Sequence, residues 1–135
     1  ICIVPDGRMC YCGQRGCVDC YCSATELSSL TDGNLNAFFA LLKSGDKQAV
    51  KMWNEYLDHL ALTVNNLYMV FDCTVILGGY VGEFIGDYVD EVRDRARKYN
   101  SFENNADYLR VCSYKTEAIA AGAALNFIAG FIDSI

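Results

Sequence analysis

Apolar residues recur at intervals of three and four along the middle of the chain: Val50, Trp53, Tyr56, Leu57, Leu60, Val64, Leu67, Tyr68 and Phe71. That spacing lays them on one face of a helix. Asp46 stands where an N-cap belongs, so the pattern predicts a long helix over 46–71. Upstream, the apolar run 1–4 reads as a short strand ended by the turn Pro5-Asp6-Gly7. Ser23 with Glu26 three residues on forms a capping box for a helix over 23–30. Thr31-Asp32-Gly33 breaks it, and a second short helix over 34–43 stops at Ser44-Gly45. Downstream the period changes. The β-branched run 73–77, ending at Gly78-Gly79, predicts a buried parallel strand. An amphipathic helix over 83–99, a polar loop over 101–107, a strand over 109–114 and a small-residue-rich helix over 116–135 follow.

From residue 46 onward the order is therefore helix, strand, helix, strand, helix. It predicts an α/β layer with right-handed crossovers between parallel strands. Three blocks result: a strand and cysteine loop (1–23), helices (24–71) and strand-helix-strand-helix (72–135). At 135 residues they suit one domain or one lobe of a larger protein. The start without methionine, already in a strand-like run, reads as a piece of a longer chain.

Composition sharpens this. A 53% hydrophobic chain has enough apolar surface for a core, and its 21% charged residues are not a disordered composition. The net charge of −6 argues against this segment gripping nucleic acid, which needs a basic face. The longest apolar stretch, 118–132, is interrupted by Asn126 and falls short of the roughly 20 residues that span a bilayer. No signal peptide is visible.

Five of the eight cysteines fall within residues 10–22, as Cys-Tyr-Cys-Gly-Gln-Arg-Gly-Cys-Val-Asp-Cys-Tyr-Cys. Neighbours so close cross-link a fold inefficiently but converge readily on one tetrahedral zinc ion. Cys10, Cys12 and Cys17 are the expected ligands, with Gly13 and Gly16 permitting the tight backbone. Cys20, Cys22 or a residue ahead of Ile1 could supply a fourth. The only histidine, His59, sits mid-helix and reads as an ordinary surface or core residue. No general base stands near the cluster, so the zinc is expected to be structural. Cys2, Cys73 and Cys112 lie in apolar surroundings and read as buried small hydrophobes. Together with the metal site they point to a reduced, cytoplasmic setting.

Three further features carry two readings each. Asp19, two residues past Cys17, is a solvated loop charge or a carboxylate for sugar hydroxyls. Gly78-Gly79 is a plain tight turn or a place where backbone approaches a nucleotide. The run 118–125 is a low-bulk face for close helix–sheet packing, which is the expectation, and its N-terminus could also face a ligand.

Cys10-x-Cys12-Gly13-x-x-Gly16-Cys17-x-Asp19 closely resembles the Cys-x-Cys-Gly-x-x-Gly-Cys-x-Glu signature of the ROK family, which comprises bacterial sugar kinases and sugar-responsive transcriptional repressors. Val75-Ile76-Leu77-Gly78-Gly79 looks like the family's later glycine-pair strand, and residues 116–125 look like its closing Ala-Gly-Ala-Ala helix. The resemblance covers essentially the whole chain but only the C-terminal part of a family member. It implies the second lobe of an actin-like, hexokinase-type (ribonuclease H-like) ATPase fold, with structural zinc on Cys10, Cys12 and Cys17. The family's fourth ligand, a histidine, would fall immediately before Ile1. The family's glutamate contacts sugar, and Asp19 holds that position one methylene shorter. The catalytic aspartate and phosphate loop belong to a first lobe, so this segment alone is not expected to phosphorylate anything.

The kinases often carry a third glycine after the pair, where this chain has Tyr80, whose bulk would crowd ATP. That favours a repressor with a sugar inducer and a DNA-binding domain ahead of Ile1. A sugar kinase using ATP is the alternative, and a small zinc-dependent interaction module is a third. Self-association is expected where apolar surface meant for a first lobe is left open.

Overall fold

The computed structural model describes residues 1–100, 102, 105–114 and 117–132. Its centre is α4 (Lys47–Phe71). Asp46 caps it, with Oδ1 accepting the backbone N–H groups of Gln48 and Ala49 at 2.9 Å each. Asp72 ends it in the left-handed region at φ 47°. The predicted apolar face is present, and Trp53, Tyr56, Leu57, Ala61 and Val64 are buried. The two ends of that stripe are not: Val50 and Phe71 are exposed.

Three shorter helices precede α4: α1 (Asp19–Cys22), α2 (Ala24–Ser28) and α3 (Leu35–Ser44). Asn34 caps α3 through a bond from the Ala37 N–H at 3.0 Å. Gly45 closes it. Phe38, Phe39 and Leu42 of α3 and Leu27 of α2 complete the core against α4. Phe39 meets Trp53 edge-on with centroids 5.2 Å apart. The capping box at Ser23 is half made. Ser23 Oγ accepts the Glu26 N–H at 3.3 Å, while the Glu26 carboxylate turns to Arg8 at 2.6 Å instead.

Beyond α4 lie β1 (Val75–Leu77), α5 (Gly82–Ile85), α6 (Val89–Ala96), β2 (Leu109–Val111) and α7 (Ala118–Ile132). β1 and β2 are parallel, with Val75 opposite Leu109 and Leu77 opposite Val111. α6 buries Val92 and Ala96 against α4. Arg95 Nε reaches Asp58 on α4 at 2.9 Å, and Arg93 donates to the Leu109 carbonyl at 3.0 Å. One helix, one strand and the crossover are thus locked together.

Several expectations need correction. The strand over 1–4 is reduced to a bridge between Cys2 and Cys17. The helix over 83–99 is two helices separated by a 3-10 turn, Gly86–Tyr88. β1 is not buried, because Ile76 is 64% exposed; β2 is its only neighbour strand among the described residues, and nothing covers that face there. α7 does not pack closely on the sheet. Gly122 has open space where a Cβ would sit, and Leu125 and Phe127 are exposed. A helix apolar on every side must be covered on several sides to be buried, and the described residues do not supply that cover. Thr116 and residues 133–135 of the predicted helix, and parts of the loop over 101–107, lie outside the described residues. No helix among the described residues is long and apolar enough to cross a membrane.

Candidate functional site

The cysteine segment folds into a narrow hairpin. The Cys10 N–H donates to the Gln14 carbonyl at 2.8 Å, and the Gly13 N–H donates back to Cys10 at 3.0 Å. Met9 and Arg15 bridge at its base. Gly16 then turns the chain beneath residues 3 and 4, whose N–H groups both bond its carbonyl, at 2.8 and 3.2 Å. Only glycine fits there. Its φ is +74°, and an added Cβ would lie 1.7 Å from the Val4 carbonyl oxygen.

This path brings Cys10, Cys12 and Cys17 together, with their sulfurs all within 4.8 Å of one another. Cys12 Sγ and Cys17 Sγ are 3.6 Å apart. Zinc bonds to thiolate of about 2.3 Å in a tetrahedron set sulfur–sulfur edges of about 3.8 Å. The donor set fits one such cation. Three thiols this close resist ionising together. The Cys12 backbone N–H donates to the Cys10 sulfur and holds that thiol below its ordinary value. Its hydrogen bond with Cys12 pushes Cys17 up to about 12. A bound divalent cation removes that conflict, because coordination deprotonates thiols outright.

The other cysteines separate clearly. Cys20 is half-buried beside Cys10, its thiol donating to the Met9 carbonyl at 3.6 Å. Cys22 faces the core instead, where burial raises its thiol to about 12. Cys2 and Cys73 are exposed and Cys112 is half-buried, contrary to the expectation that all three are buried. Apolar sequence neighbours do not decide a cysteine's burial. Cys2 lies on the surface bridge and Cys73 just beyond the turn at Asp72.

Asp19 opens α1 and is exposed. Its charge raises the phenol of Tyr11, which is 90% exposed. The Asp19 charge thus reaches an aromatic ring that stands out from the cysteine hairpin. Tyr11 went unremarked in the sequence, although an aromatic residue between two metal-ligand candidates was a usable signal. Arg8 was also missed. Its guanidinium lies over the Tyr21 ring at 4.4 Å and pairs with Glu26, so it ties the hairpin to α1 and α2. His59 is no part of the cluster. It stacks on Tyr21 at 4.5 Å, and Nδ1 donates to the Glu55 carbonyl at 2.7 Å.

Gly78 and Gly79 follow β1. Each has a local structural cause: a Cβ on Gly78 would sit 3.3 Å from Cys112 Cβ, and Gly79 has φ +74°. Below them a cavity of about 150 Å³ is lined by Cys22, Tyr56, Leu60, Leu77, Val81 and Ile85, among others. Tyr80 is 73% exposed.

Residues 1–129 match the ROK family. Over 127 residues the chain is 30% identical to an N-acetylmannosamine kinase of Citrobacter koseri, covering 90% of this chain and 43% of that one. It is 35% identical over 94 residues to the N-acetylmannosamine kinase of Yersinia pestis, covering 65% of this chain and 32% of the relative. Among solved structures it resembles a ROK family glucokinase from Streptomyces griseus in complex with glucose and AMPPNP. The TM-score is 0.50 at 27% identity, over 73% of this chain and 38% of that one. The chain thus spans less than half the length of these relatives. It belongs to the ROK family.

Proposed function

We propose that this chain is the C-terminal lobe of an ATP-dependent kinase for a hexose or N-acetylhexosamine. The observation that carries the proposal is the similarity, over 90% of the chain, to a kinase of N-acetylmannosamine. The glucokinase of similar fold, described with glucose and AMPPNP, points the same way. The kinase reading therefore stands ahead of the repressor reading, whose support in this chain is the bulk of Tyr80 next to the glycine pair.

Within the lobe, Cys10, Cys12 and Cys17 hold one structural zinc ion, which when bound cross-links the hairpin and takes no part in proton transfer. The clamped hairpin fixes the start of α1 and so the Asp19 carboxylate. Asp19 accepts hydrogen bonds from sugar hydroxyls, and the Tyr11 ring offers an apolar face for the sugar's C–H edges. Gly78-Gly79 forms the floor near the nucleotide, where a turn without side chains lets phosphate or adenosine come close to backbone. The catalytic base and phosphate loop come from the other lobe of such an enzyme.

The test is phosphoryl transfer by the full-length protein, with ATP and a panel including glucose and N-acetylmannosamine. ATP-dependent formation of a sugar phosphate is expected. No turnover with any hexose or N-acetylhexosamine, together with sugar-sensitive binding to DNA, would favour the repressor.

A further inference from the structure

We propose that the cavity between the cysteine hairpin and the middle of α4 binds a small organic monocation, a primary amine on a short apolar body. The site stands apart from the metal cluster and from the sugar carboxylate, since Cys10, Cys12, Cys17 and Asp19 are not among its lining residues.

The cavity holds about 340 Å³, within the range of about 300–1,000 Å³ typical of small-molecule sites. Arg8, Tyr21 and Glu26 form one wall. Met52, Glu55, Tyr56 and His59 of α4 form the other. The two walls are tied together by Tyr21. Its hydroxyl accepts the Arg8 backbone N–H at 2.8 Å, and its ring lies 4.4 Å from the Arg8 guanidinium and stacks on His59 at 4.5 Å. The Tyr56 hydroxyl adds its bond to the Cys22 carbonyl at 3.2 Å. Walls fixed in this way spare a ligand the cost of ordering them.

Charge selects the ligand. Arg8 is the one lining cation beside a neutral His59, and Glu26 Oε1 already pairs with it at 2.6 Å. Glu55 has a loose partner, Lys51 Nζ at 3.8 Å, and both side chains are exposed. His59 Nδ1 is spent on the Glu55 carbonyl, which leaves Nε2 of the neutral ring as an acceptor. The lining thus carries one more negative charge than positive, and acceptors are in surplus. An anion would be repelled there, and a neutral ligand would leave the charge unanswered. An ammonium brings three donors and the opposite charge.

A bare metal ion fits less well. Among the described residues, Cys10, Cys12 and Cys17 form the group whose ligand atoms crowd within 4.8 Å, and Glu26, Glu55 and His59 do not meet that spacing. An organic cation can span them. The Met52 thioether and the Tyr56 ring offer apolar surface for its body. Water screens groups this exposed, which places the affinity in about the millimolar range.

The probe is n-butylammonium, titrated into the full-length protein with isotope-labelled methionine methyl groups and followed by NMR. The Met52 methyl signal, identified by its loss in Met52→Leu, reports occupancy without reference to catalysis. It is expected to shift saturably with the amine and to stay in place with n-butanol or butyrate at the same concentrations. Glu55→Gln keeps the side chain's shape and should weaken amine binding about 3- to 5-fold. A Met52 methyl that does not move with the amine, or moves as far with n-butanol or butyrate, overturns the proposal. So does an unchanged amine affinity in Glu55→Gln.

Discussion

At Gly16, backbone geometry and chemistry meet in one residue. The left-handed φ and the 1.7 Å approach to Val4 leave no room for a methyl group, so Gly16→Ala should displace residues 3–4 from the hairpin. We expect a loss of about 1–3 kcal/mol in urea unfolding and weaker zinc uptake in the same variant. Tyr56 gives a second test. Burial raises its phenol above the ordinary value near 10, and its hydroxyl donates to the Cys22 carbonyl at 3.2 Å. An acid whose folded-state value is raised stabilises the fold below its unfolded value, and that contribution is lost as pH rises above about 10. Tyr56→Phe should cost about 1 kcal/mol near neutrality and flatten the fall in stability above pH 10 in pH-dependent melts. Residue-level chemistry was legible where it depended on spacing. The Cys10, Cys12 and Cys17 sulfurs converge because a short loop cannot keep them apart. It was illegible where it depended on what lies across space: Cys2 and Cys73 are exposed, and the charge of Asp19 acts on Tyr11 only once the chain is folded.

Among the elements, α3 and α4 were readable because each carries its own start and stop. Asn34 and Asp46 satisfy free N–H groups at one end, and Gly45 and Asp72 turn left-handed at the other. Asp46→Ala should therefore cost about 1 kcal/mol, read as a lower urea midpoint at unchanged m-value. The region 83–99 was harder. Its charged residues continue in helical period, and nothing in that pattern marks the 3-10 turn at Gly86–Tyr88. There Tyr88 leaves the helix path to meet Trp53, centroids 4.9 Å apart, so tertiary packing decides the break. β1 was found as a parallel strand but misjudged as buried. A β-branched run shows that a segment suits a pleated sheet, not how many of its faces are covered.

For the whole molecule, the parallel pair, its helical crossover and the helices packed on it place the α/β class beyond the reach of any single motif. Open apolar surface is the other whole-molecule trait. Ile76, Val70, Phe71 and Phe127 are each more than 60% exposed, on three separate elements. The 135-residue chain by itself should self-associate with rising concentration in light scattering, and a monodisperse monomer at high concentration would count against that expectation. The family was legible from the cysteine signature, whereas the branch within it was not, because Tyr80 weighs on one position and the similarity to kinases weighs on most of the chain. The central claim is that the metal-clamped hairpin holds Asp19 against the sugar of a kinase. Steady-state kinetics of Asp19→Ala in the full-length protein test it most directly. Loss of a hydrogen bond to a charged group should raise the sugar KM about 10- to 100-fold and leave the ATP KM within about twofold. An unchanged sugar KM in an otherwise active Asp19→Ala enzyme would contradict the claim.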